Sequence, residues 1–227
     1  PLSSIQLYLE TLKQRDVPLE KRKEFIDMMM RDADRLQSLI NSILEISAQE
    51  KKRLFQDYQV YQADLFVKEL IEESFLKFRV GKESYRITGE APCQIVAGKD
   101  AMKVVFDNLV DNAVKYSVQK VQIIVSLNCN SKKITILFTD FGIGIAAKEH
   151  KKIFGKFYRI YNKEIPNVKG TGLGLYRVKE IIRAHSVKIT VASEGDDRGA
   201  SFKIELPAYS ELSKRKLKKL LKTERYN

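Results

Sequence analysis

The sequence predicts an α+β fold: an antiparallel helical hairpin, then an α/β sandwich with a mixed, mostly antiparallel sheet. Three observations carry this. Residues 1–53 hold two helical stripes parted by a proline. Residues 54–207 mix short alternating segments with longer helical ones, without the strict strand–helix alternation of a parallel sheet. Glycine-rich turns fall between those segments, where backbone must reverse or approach a ligand closely.

The elements follow in order. Leu2, Ile5, Leu9 and Leu12 recur at 3-4-3 spacing, one stripe of a helix. Arg15-Asp-Val-Pro18 interrupts it, and Pro18 suits the first turn of the next helix. Phe25, Met29, Asp32, Leu36, Leu39, Ile43 and Ile46 then form a heptad seam with Asp32 its polar position. Two such helices have too little core to stand alone, so a homodimer through residues 1–50, closing a four-helix bundle, is the expected completion. Lys51-Lys-Arg53 reads as a polar joint. Leu65, Phe66, Leu70 and Phe75 predict a helix over 63–78, and 85–89 and 94–98 read as strands around Pro92. Asp100 is the expected cap of a helix carrying Met102, Val105, Phe106, Leu109 and Val110. Segments 121–127 and 134–139 alternate as strands, with 128–133 as their hairpin turn. A helix from Gly174 to about Ala184 precedes strands at 188–192 and 201–206.

Composition excludes several classes. Apolar content of 44% and charged content of 31% describe a globular chain, and no apolar run reaches the length of a membrane span. The two cysteines, Cys93 and Cys129, lack metal-ligand spacing and are expected as reduced, packed thiols. The net charge of +12 invites a nucleic-acid reading, but its densest part is the tail at 208–227. There Leu212, Leu217, Leu220 and Leu221 interleave with lysines and arginines as in a basic amphipathic helix. No nucleic-acid partner is therefore expected.

Four segments carry the chemistry. In Asn108-Leu-Val-Asp-Asn112-Ala-Val-Lys115-Tyr116, Asn108 and Asn112 are four apart on a helix and share a face. Amide oxygens are hard neutral ligands suited to Mg²⁺, Lys115 suits a phosphate, and Tyr116 offers a ring to a base. In Asp140-Phe-Gly142-Ile-Gly144-Ile145 a carboxylate can accept from an exocyclic amine, while glycines admit close backbone approach. Ile153-Phe154-Gly-Lys-Phe157-Tyr-Arg159 places Arg159 for a terminal phosphate, with Phe154 and Phe157 anchoring a polar lid that runs on towards Gly170. Gly170-Thr171-Gly172-Leu173-Gly174 opens a helix, whose free N–H groups suit a polyphosphate. The Asp-Phe-Gly triplet has no companion His-Arg-Asp loop, which excludes the protein-kinase metal motif.

In this order, the four segments resemble the N, G1, F and G2 boxes of bacterial sensor histidine kinases, and the resemblance runs from Pro1 to Pro207. It implies ATP and Mg²⁺ as cofactors, with Asn112 the principal metal ligand and Asn108 assisting. Asn108 stands where hydrolysing relatives of the wider superfamily carry a water-activating Glu. That implies phosphotransfer to a protein side chain and not to water. Departures lie at Tyr176-Arg177, in place of a small and aliphatic pair, and at Ser186-Val187, in place of glycines.

Pro1-Leu-Ser-Ser-Ile resembles the end of the family's phospho-acceptor motif, which places the acceptor His just upstream of Pro1. The two histidines present are His150, expected at the surface, and His185, at a helix C-terminus where a cation suits the dipole. Neither lies on the hairpin. The resemblance implies a response-regulator receiver domain as partner, a cytoplasmic core, and a parent protein anchored to a membrane outside this segment. The chain alone is expected to bind Mg-ATP without phosphorylating itself. A His-less nucleotide-gated scaffold and a hydrolysing ATPase are the alternatives.

Overall fold

The computed structural model describes residues 2–14, 16–54, 58–160, 170–185, 187–195 and 198–212. The lid expected between Arg159 and Gly170 lies mostly outside these residues, as do Ser186 and the tail beyond Leu212. The chain divides into two compact units, Pro1–Arg53 and Leu54–Asn227.

The first unit is a helical hairpin of α1 (Leu2–Gln14) and α2 (Leu19–Leu54). Pro18 precedes α2, and its carbonyl accepts the Arg22 N–H at 2.9 Å. The helices meet where Tyr8 and Phe25 bring their ring centroids to 5.0 Å. Along α2 the seam residues Phe25, Met29, Asp32 and Leu36 are half-buried, while Ile26 and Met30, one step round the helix, are exposed. On α1, Ile5 and Leu12 turn inward, whereas Leu2 and Leu9 of the predicted stripe are more than half exposed. The joint expected at Lys51–Arg53 is helical: α2 runs through it to Leu54. Lys and Arg are good helix formers, so charge alone does not end a helix.

The second unit adds β1 (Tyr58–Gln62), α3 (Ala63–Lys77), β2 (Tyr85–Thr88), β3 (Gln94–Gly98), α4 (Lys99–Lys115), β4 (Ile123–Cys129), β5 (Lys133–Asp140), α5 (Gly174–Ala184), β6 (Ile189–Ala192) and β7 (Ala200–Pro207). Five strands form one sheet in the order β2-β4-β5-β7-β6, parallel only between β2 and β4. The fold is thus α+β with a mixed, mostly antiparallel sheet. β1, unforeseen in the sequence, pairs antiparallel with β3 as a separate two-stranded sheet.

Alternation decides the faces. Ile123, Val125 and Leu127 of β4, Ile134, Ile136 and Phe138 of β5, and Phe202, Ile204 and Leu206 of β7 point to one side. There they share a single core with Leu70, Ile71 and Phe75 of α3, Val105, Phe106 and Leu109 of α4, and Val178, Ile181 and Ile182 of α5. Each such large side chain contributes about 1.5–3 kcal/mol on burial. The opposite side is polar, with the Thr88–Ser126 and Thr139–Ser201 hydroxyl pairs and Lys133 and Lys203 flanking Glu205.

α3 and α4 are stitched by Glu69–Lys99, Glu73–Lys103 and Lys77–Asp107 ion pairs, with buried Ser74 donating to Asp107 at 2.7 Å. Burial raises the Asp107 pKa, but hydrogen bonds from Lys77 and Ser74 outweigh it and leave the carboxyl below its ordinary value. Two local expectations are corrected. The N-cap position of α4 is Gly98, with no side-chain cap bond, and Asp100 lies within the first turn. Cys93 and Cys129 are a disulfide with Cα atoms 6.5 Å apart, not reduced thiols. Cys93 immediately precedes β3 and Cys129 ends β4, so the fold brings together two residues 36 positions apart, which spacing alone cannot reveal.

Candidate functional site

One cleft gathers most of the sequence-predicted residues. It is lined by Asn108, Asn112 and Lys115 from α4 and Tyr116 at its C-terminus, Asp140 at the end of β5 with Gly144 and Ile145 after it, Arg159, and Gly170, Thr171, Gly172 and Gly174 before and at the start of α5. Phe157, Gly142 and Leu173 do not line it. The Phe157 ring is 41% exposed. Its backbone, at φ 59°, abuts Gly172, where a Cβ would fall 2.6 Å from the Phe157 carbonyl carbon. Gly142 is buried against the Tyr116 carbonyl. Both act on the cleft through backbone contact.

α4 and α5 make the polar end. The Asn108 Nδ2 donates to the Val104 carbonyl at 2.7 Å, which fixes the amide's orientation and leaves Oδ1 facing Gly174. Leu173, the N-cap position of α5, makes no side-chain cap bond among the described residues, so the first N–H groups of the helix keep donor capacity toward the cleft. Lys115 reaches back one turn to Asp111 at 2.5 Å. Arg159 donates to the Gly170 carbonyl at 3.1 Å, tying the two ends of the intervening segment.

Asp140 ends β5 at the other end, 9% exposed, and accepts the Gly142 N–H at 3.0 Å. Burial pushes its carboxyl pKa up, against hydrogen bonds from Gly142 and Ala200. The turn that follows is held from outside. Ser193 Oγ accepts the Ile145 N–H at 2.9 Å and donates to the Gly199 carbonyl at 2.6 Å, while Gly199 N–H bonds Gly142 O at 3.0 Å. Gly144 has φ +72°, and a Cβ there would fall 1.9 Å from the Gly195 carbonyl.

Sequence reasoning missed several lining residues: Asp111, Ile143, Ala146, Tyr158, Ala200 and Phe202 among them. Asp111 had a signal. Asn108, Asp111, Asn112 and Lys115 stand at i, i+3, i+4 and i+7, one helical face. Tyr158 donates to the buried Glu149, which Lys152 also approaches, and Lys156 lies over the Tyr176 ring at 5.1 Å. The aromatic at 176 thus gains a cationic partner.

Neither histidine is poised as a nucleophile. His150 Nε2 lies 3.0 Å from the Ile145 carbonyl. His185 is not the helix-end cation expected but a buried neutral ring, its pKa lowered by desolvation. Its Nδ1 donates to Ile181 O at 2.9 Å, its Nε2 accepts the Gly98 N–H at 3.3 Å, and Tyr58 lies 4.9 Å away. Burial also pushes the Tyr58 hydroxyl up to about 12.

Residues 98–210 match the histidine kinase-, DNA gyrase B- and HSP90-like ATPase family, and residues 1–52 match the His Kinase A (phospho-acceptor) domain. The chain belongs to the bacterial sensor histidine kinases. The sensor protein kinase WalK of Staphylococcus epidermidis is 30% identical over 213 residues, which cover 91% of this chain and 34% of that protein. Drug sensory protein A of Synechocystis is 29% identical over 229 residues, 93% of this chain and 34% of that protein. The chain therefore spans about a third of the length of these relatives. Among solved structures, the catalytic domain of histidine kinase ThkA has a TM-score of 0.53 at 25% identity, covering 66% of this chain and 97% of that one. Acinetobacter baumannii AdeS, at 20% identity and a TM-score of 0.54, shares the fold over 92% of this chain and 95% of its own. Among the described residues, no helix of this kinase core is long and apolar enough to cross a membrane.

Proposed function

We propose that the second unit binds Mg-ATP, and that the parent kinase transfers its γ-phosphate to a histidine on the hairpin and then to an aspartate of a response-regulator receiver domain. One observation carries the reading. The polar face of α4 and the uncapped start of α5 converge on a cleft whose other end is the buried Asp140. Asp140 accepts from the adenine amine, and Tyr116 stacks on the ring. Lys115, Arg159 and the α5 N–H groups hold phosphate oxygens. The donor set fits the metal too. With its amide nitrogen committed to Val104, Asn108 offers only oxygen, and beside Asn112 it suits a hard cation that keeps waters and phosphates as its other ligands. The Asn108 amide cannot act as a base to activate water, so the site favours delivery to a protein nucleophile.

The hairpin is the dimerisation platform, with Leu2, Leu9, Ile26 and Met30 as apolar surface for a second copy. The parent's core works in the cytoplasm. His150 and His185 are both engaged within the second unit, so this chain binds Mg-ATP without accepting its phosphate. Calorimetric titration with Mg-ATP, paired with an acid-labile phosphate assay, tests both halves. Binding without incorporation is expected. Absence of binding, or labelling of the chain alone, would overturn the reading.

A further inference from the structure

The ionised side chains lining the cleft, among the described residues, are Asp111, Lys115, Asp140 and Arg159. Two negative charges and two positive ones cancel. This is a notable economy in a chain of net charge +12, where a polyphosphate site could have been strongly cationic. The cation at the polar end is also already partnered. Lys115 lies 2.5 Å from the Asp111 carboxylate, one helical turn away and on the same face as Asn108 and Asn112.

We propose that Asp111 is a specificity-determining residue that makes nucleotide binding depend on a bound divalent cation. The inference rests on the ATP reading above. Without nucleotide, Asp111 neutralises the Lys115 ammonium that would otherwise attract any triphosphate. A metal-free triphosphate, with about four negative charges, must compete with this carboxylate for Lys115 and meet its repulsion. A triphosphate carrying a divalent cation brings roughly half that net charge. Its metal is attracted by the carboxylate that repels the bare anion. Asn108 and Asn112, as neutral donors, can hold the metal but do not repel the bare anion. The mechanism uses through-space charge, so Asp111 need not be a direct metal ligand.

The test compares the affinity of the 227-residue chain for ATP in EDTA and in Mg²⁺ at fixed ionic strength, for wild type, Asp111→Asn and Asp111→Glu. Removing one unit charge within a few ångströms of a polyphosphate at a half-exposed position should strengthen metal-free ATP binding roughly tenfold. Mg-ATP affinity should hold or fall, so the ratio of the two shrinks at least tenfold in Asp111→Asn. Asp111→Glu, which keeps the charge, should retain the wild-type ratio. An unchanged ratio in Asp111→Asn, or an equal loss of both affinities, would overturn the proposal. So would Asp111→Glu behaving like Asp111→Asn. If Asp111→Asn did not fold by circular dichroism, Asp111→Ser is read by the same criterion. Wild type binding ATP in neither condition would be failure of the nucleotide reading, distinguishable from failure of this one.

Discussion

Gly174→Ala should separate stability from nucleotide binding. Gly174 opens α5, and alanine there favours the helix by up to about 1 kcal/mol. The new Cβ would lie 2.7 Å from Asn108 Oδ1 and 3.6 Å from its Cγ, where ordinary contact begins at 3.4 Å. The oxygen must therefore give way by about 0.7 Å, the difference between contact and clash. It cannot do so freely, because Nδ2 of the same amide is bonded to Val104 at 2.7 Å. Losing that bond costs about 1 kcal/mol, which roughly offsets the helical gain. The fold is thus expected to hold, with a melting temperature within about 4 °C of wild type. The site is not. The methyl group stands between α5 and the Asn108 oxygen, and sub-ångström misplacement of a positioning group costs on the order of 10- to 100-fold. Calorimetry with Mg-ATP and a thermal melt read the two effects. Affinity within threefold of wild type would refute the role given to Asn108. A melting temperature lowered by more than about 10 °C would refute the claim that the clash is absorbed by one side chain.

Three further outcomes follow from the same geometry. Reducing Cys93–Cys129 opens a 36-residue loop in the unfolded chain, worth about 4 kcal/mol by loop entropy, so the denaturation midpoint should fall with dithiothreitol while Mg-ATP affinity holds. The bond sits at the end of β4 away from Ile123, which pairs with Asp140, and a matching loss of affinity would contradict this separation. Asp140 has a folded pKa above its unfolded value, so its contribution to stability is fully present in acid and lost as pH rises through the folded pKa. Asp140→Asn should therefore be more stable relative to wild type at pH 7 than at pH 4, while losing ATP affinity at both. Paired melts across that range check the sign. Ser193→Ala removes the bridge between Ile145 N–H and Gly199 O and should cost about 1–2 kcal/mol, with weaker ATP binding. Urea unfolding and the same titration measure it.

Much of this kinase core was legible because its signals are local. Helical periodicity located α1, α3, α4 and α5, and alternation located β4, β5 and β7. β1 escaped because in Tyr58–Gln62 only Tyr58 is buried, so no alternating apolar pattern marks the strand. Asp111 escaped for a different reason. Its helical period is local, but a carboxylate on such a face is commonly solvated, and only the assembled cleft shows it lining the site and paired to Lys115.

By itself, the sequence determined which residues share a helical face and which turns demand glycine, because those depend on φ, ψ and near neighbours. Asn108, Asp111, Asn112 and Lys115 must align on any α-helix. Tertiary structure alone decided what each face meets. Gly174 lies against Asn108, Ser193 holds Ile145, His185 is buried against Gly98 and not charged, and Cys93 reaches Cys129. Those pairs are set by strand order and helix packing, which bring residues tens of positions apart within a few ångströms. No local propensity encodes that distance; the shared core of sheet and helices does.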